Sequence, residues 1–155
     1  MENAIILGIM VILFDALRLI AISSYQDFGV NAVYDPIVHS PLEGKVWGSG
    51  SVIFFILGVF AMISSWGIYI YLILLAILHN WVIALVTFAL SYLISPLISL
   101  TIEKLTGTIF GKLAGDKINV NRTNALMVGR KLLIVPILIV LPLYFAFMIV
   151  LLFNI

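Results

Sequence analysis

From Val46 to Ile102 the chain has no Lys, Arg, Asp or Glu, and His79 is the only residue there that gains a charge near neutral pH. An apolar run of about 18 residues is enough to propose one membrane crossing, and this one is roughly three times as long. Two further apolar runs cover residues 3–24 and 132–154. Polar residues gather in the two segments between the runs, 25–46 and 103–131. A segment crossing lipid must satisfy its own backbone, so the pattern predicts an all-α, polytopic helical membrane bundle.

The first run, 3–24, contains Asp15 and Arg18, and Glu2 is the one charged side chain before it. It lacks the basic n-region of a cleaved signal peptide and reads as a true span. Segment 25–46 holds Pro36, Pro41, Gly29 and Gly44, which prevent a long helix and mark a loop. The long run divides at its tryptophans, because indole rings collect at membrane interfaces. Trp47 and Trp66 are about 28 Å apart along a helix, close to one hydrocarbon thickness. Ser64-Ser65-Trp66-Gly67 gives a weak turn signal and His79-Asn80 a second polar break. The predicted spans are then 47–65, 67–80 and 81–102, the middle one short at about 18 Å for Gly67–Leu78.

Orientation follows from the basic residues. Lys104, Lys112, Lys117, Arg122, Arg130 and Lys131 place segment 103–131 in the cytoplasm. The acidic segment 25–46 has only Lys45 and is placed outside. An odd number of crossings must separate them, which favours five spans, with the N-terminus inside and the C-terminus outside a cytoplasmic-type membrane. The alternative has four spans, with Gly67–Leu78 as the second half of one long tilted helix. It gives comfortable helix lengths but sets the orientation argument aside.

Composition narrows the function classes. The chain is 64% hydrophobic and 10% charged, against about a quarter charged for a soluble domain. That leaves one integral membrane domain, 1–155, and no long soluble domain. A net charge of +1 without a clustered basic face gives no reason to expect nucleic acid. With no cysteine there is neither a disulfide nor a thiolate metal site. No cofactor is implied.

Three groups of residues are candidates for function. Asp15 and Arg18 are three apart on one helical face, near the middle of the first span. Either charge alone would cost about 2.5–3.5 kcal/mol there, so pairing is expected. The pair is either a structural link to another helix or a step in an ion, proton or substrate path. A stripe of small residues recurs every fourth position: Thr87, Ser91, Ser95 and Ser99, then Gly107, Gly111 and Gly115. Such spacing lets two helices approach closely, within one chain or between protomers. The glycines lie in the basic segment, which can form an interfacial helix against anionic lipid headgroups. Finally, Asp35, His39 and Glu43 are spaced by four, and in the five-span arrangement His79 reaches the same face. These side chains are competent metal ligands, although Pro36 and Pro41 break the helix that would align them.

Three function classes remain open. The first is a non-catalytic membrane protein, a packing or accessory subunit whose partners are the bilayer and other membrane subunits or itself. The second is a small channel or transporter protomer with Asp15 and Arg18 near the path. The third is a lipid-modifying or metal-dependent membrane enzyme, for which converging polar groups are sparse.

Overall fold

The computed structural model describes residues 2–25, 49–113 and 122–154. They form four helices: α1 Glu2–Tyr25, α2 Ser49–Leu78, α3 Trp81–Leu113 and α4 Arg122–Phe153. Each contains an apolar stretch long enough to cross a membrane. The fold class is the expected all-α membrane bundle.

Among the described residues four helices, not the favoured five, are long and apolar enough to span a membrane. Residues 67–78 are not a separate crossing; they continue α2 without a break. The Ser64 hydroxyl donates back to the Phe60 carbonyl and the Ser65 hydroxyl to the Ala61 carbonyl. Serines bonded to their own helix in this way need no turn, and without water the backbone has little alternative to the helix. Gly67 is buried against the Phe145 ring of α4, so it serves packing rather than a turn. Trp66, expected at an interface, sits halfway along α2 and is 69% exposed on its outer face.

The break at 79–80 is real. The His79 and Asn80 amides both donate to the Leu75 carbonyl and close α2. The Asn80 side-chain oxygen then accepts the Val82 amide, an N-cap for α3.

Segment 103–131 is not the loop expected. α3 runs on to Leu113 and α4 begins at Arg122, so both ends of that segment are helical. At 33 residues α3 is about 50 Å long, well beyond the ~30 Å hydrocarbon core, so its polar end continues as helix past the apolar layer. Pro96, Pro136 and Pro142 lie inside α3 and α4 without ending them.

Contacts between helices fix their directions. Gly8 meets Thr87 and Asp15 meets Ser91, so α1 and α3 run parallel. Arg18 meets Ser65 and Tyr25 meets Gly58, so α1 and α2 are antiparallel. Glu103 meets Arg130, while Phe145 lies beside Phe14 and Tyr71, so α4 returns antiparallel to α3. Glu2, the 79–80 turn and Phe153 therefore share one end of the bundle; Tyr25, Ser49, Leu113 and Arg122 share the other. The four described helices thus bring Glu2 and Phe153 to one end of the bundle, where the five-span arrangement would separate them.

The core is centred on α1, where Leu7, Val11, Phe14 and Ile20 are fully buried. Leu57 and Leu75 of α2, and Ile137, Leu141 and Met148 of α4, close around it. Outward faces carry Leu, Ile, Phe and Trp, as expected where acyl chains replace water.

Candidate functional site

Ionisable and hydroxyl side chains converge at mid-depth where α1, α2 and α3 meet. Asp15 and Arg18 are one turn apart on α1, and both point inward. The Arg18 Nε and Nη2 lie 2.8 and 2.6 Å from the same carboxylate oxygen, Oδ1 of Asp15. The other oxygen, Oδ2, accepts from the Ser91 hydroxyl of α3 at 2.7 Å. Arg18 Nη1 donates to Ser65 Oγ of α2 at 2.9 Å, and the Ser65 hydroxyl in turn donates a hydrogen bond to the Ala61 carbonyl. One carboxylate and one guanidinium thus tie three helices together.

Ser95 extends the cluster. Its hydroxyl donates to the Ile12 carbonyl at 3.0 Å and stands 3.2 Å from Ser91 Oγ. Each hydroxyl has one proton. With Ser91 donating to Asp15 and Ser95 to Ile12, the approach of the two oxygens is a contact between acceptors, not a further bond.

The small-residue stripe lies inside the chain. Thr87, Ser91, Ser95 and Ser99 are all buried, with Ser91 and Ser95 bonded to α1. The same four-residue repeat brings Glu103 and Gly107 into the bundle, both buried. Glu103 Oε2 accepts from Arg130 Nε of α4 at 3.0 Å. At this crossing the α-carbon of Gly129 lies so close to the Glu103 carbonyl that no Cβ fits between them. Gly111 belongs to the last turn of α3, and Gly115 lies outside the described residues.

This second ion pair, and the roles of Ser65 and Ser91 around the first, went unrecognised in the sequence. Glu103 carried a signal, since it continues the repeat from Ser99 on the same face. Ser65 carried none, because a serine near a glycine and a tryptophan reads as a turn.

The four proposed metal ligands are not assembled in the described structure. Asp35, His39 and Glu43 lie outside the described residues. His79 is exposed in the α2–α3 turn, at the end opposite Tyr25 and Ser49, between which those three residues lie. Its expected position on their face rested on the additional crossing that α2 does not make. Among the described residues no three His, Cys, Asp or Glu side chains come together.

Two cavities accompany these contacts. One, of about 120 Å³, has Asp15, Arg18, Ser65 and Ser91 on its polar wall and Tyr69, Phe88 and Tyr92 at its margin. The other, of about 390 Å³, is an apolar groove between α2 and α4 with Gly67, Tyr71 and Phe145 among its lining. The Tyr71 hydroxyl beside it donates to the Phe145 carbonyl at 3.0 Å. Comparison with known families, characterised proteins and solved structures finds no match.

Proposed function

We propose that this polytopic membrane protein is non-catalytic and acts as a packing or accessory subunit of a membrane complex. The observation that carries the reading is that the buried carboxylates among the described residues, Asp15 and Glu103, are each paired with a guanidinium. Asp15 has both oxygens occupied, by Arg18 and by Ser91, and Glu103 is held by Arg130. A carboxylate whose oxygens are already engaged by guanidinium or serine donors is poorly placed to meet a substrate. What such a pair does well is fix which helices meet and in what register. Partners are then the bilayer, anionic headgroups at the basic end, and other membrane subunits or a second copy.

Orientation follows the same four-helix arrangement. Of the eight Lys and Arg, all but Arg18 belong to the bundle end shared by Tyr25, Ser49, Leu113 and Arg122, or to the segments leaving it. The opposite end has Glu2, His79 and Asn154 and, among the described residues, no Lys or Arg. The positive-inside rule counts Lys and Arg and largely ignores acidic residues. It therefore places segments 26–48 and 114–121 together in the cytoplasm and both termini outside.

A second reading, a channel or transporter protomer, has one favouring observation: the Asp15–Arg18 pair borders a cavity instead of being sealed in the core. Two measurements on one sample separate the readings. The accessory reading expects a discrete species larger than one chain in mild detergent, and no ion or proton flux through the purified protein in sealed liposomes. A monodisperse single chain would overturn it, and flux abolished by an Asp15→Leu/Arg18→Leu double change would favour the second reading.

A further inference from the structure

We infer that the 120 Å³ cavity beside Arg18 binds a neutral, lipid-soluble molecule whose compact head carries a hydrogen-bond-accepting carbonyl. This goes beyond the accessory-subunit reading and does not depend on it.

Unused donors come first. A guanidinium has five N–H groups. In Arg18, Nε and one N–H of Nη2 serve Asp15, and one N–H of Nη1 serves Ser65. Two N–H groups remain, on a side chain that lines the cavity at mid-membrane depth. Unmade hydrogen bonds are costly where no bulk water reaches, so an acceptor in the cavity is strongly favoured.

The cavity's size and mouth limit what can supply that acceptor. A cavity of order 150 Å³ admits a benzene ring, so 120 Å³ suits a small carbonyl-bearing head of about one ring. Tyr69, Phe88 and Tyr92 at its margin are 57%, 50% and 76% exposed. These residues belong to the apolar stretches of α2 and α3, so the opening faces the acyl chains. A ligand arrives laterally from the bilayer, its tail remaining in lipid and its head stacking among aromatic rings.

Charge excludes the commoner amphiphiles. Asp15 already neutralises Arg18. A carboxylate or phosphate entering the cavity would leave a net negative charge at mid-depth, which the bilayer strongly disfavours. A neutral carbonyl accepts the two N–H groups and leaves the site neutral.

The test uses the full chain in lipid nanodiscs with nitrogen-15 label in arginine, the Arg18 side-chain signals being identified by their loss in Arg18→Lys. Three probes share a hexyl tail: 4-hexylacetophenone, hexylbenzene and 4-hexylbenzoate. The ketone is expected to shift the Arg18 signals saturably, with an affinity about tenfold above that of hexylbenzene, as one charge-assisted hydrogen bond supplies. Leu72→Phe, or Ile68→Phe should the first misfold, fills the cavity from its wall and is expected to abolish saturation while leaving the Asp15–Arg18 signature of the free protein intact. A shift rising linearly with probe and equal for ketone and hydrocarbon overturns the proposal, since the cavity then holds only water or acyl chain. Persistence of saturable binding in both filled variants overturns it too, as does tighter binding of the benzoate. The comparison of the three probes on the unaltered chain decides even if neither variant folds.

Discussion

A single helical turn, from Asp15 to Arg18, sets the electrostatics of the molecule. The spacing alone makes the pair legible, because residues three apart on a helix face each other. What the spacing does not reveal is the remainder of the coordination, since Ser65 and Ser91 lie 47 and 76 positions away from their partners. In the structure Asp15→Asn leaves the oxygen that Ser91 needs but removes the charge that Arg18 needs. The variant is expected to be destabilised by about 2.5–3.5 kcal/mol, the scale of one uncompensated charge in a membrane helix. Asp15→Leu/Arg18→Leu removes both charges and is expected to be milder. Ser65→Ala removes a single interhelical bond and is expected to cost about 0.6 kcal/mol. Reversible denaturation of the three variants in mixed micelles orders them; a double variant as unstable as Asp15→Asn would count against the pairing argument.

At the scale of helices, the apolar runs were legible and their divisions were not. Trp66 and Ser64-Ser65 suggest an interface, yet the indole faces outward halfway along α2 and both hydroxyls bond back to their own helix. Local sequence shows that a polar group is present; whether its own backbone satisfies it depends on the absence of competing water. The four-residue repeat in α3 was legible as a packing stripe, but its owner was not, because small residues suit any helix that comes close. α1 occupies the stripe at Ser91 and Ser95. Ser95→Leu is therefore expected to lower the melting temperature without changing the mass of the solubilised species. Two glycines give a sharper contrast. A methyl at Gly129 meets the Glu103 backbone, which has nowhere to go, whereas one at Gly67 meets the edge of the Phe145 ring at 2.8 Å. The ring can rotate away. Gly129→Ala is expected to part α3 from α4 at the Glu103–Arg130 pair with a large loss of stability, and Gly67→Ala to cost about 1 kcal/mol or less. Equal melting temperatures for the two would show that the α3–α4 crossing relaxes as readily as the α2–α4 one.

At the scale of the whole molecule, the four described helices set which ends lie together, and the proposed orientation rests on the charges. The external position expected for segment 25–46 rests on its holding only Lys45 against the six basic residues of 103–131, and so on an odd number of crossings between the two. Acidic residues contribute little to insertion, so nothing in that segment resists the cytoplasm, and Lys45 favours it. Once residues 49–78 are one helix, segments 26–48 and 114–121 must leave the same end of the bundle. The chain has no native cysteine, so single cysteines report position cleanly. Cysteines at Asp35 and Lys112 are expected to resist an impermeant thiol reagent in intact cells and to react once the membrane is opened. Cysteines at His79 and Asn154 are expected to react from outside in intact cells. Labelling of Asp35→Cys from outside with Lys112→Cys protected would require an odd number of crossings between them, and α2 could not then be continuous in the membrane. Labelling of both from outside would keep the four helices and invert them, which would mean that some determinant other than Lys and Arg sets the orientation.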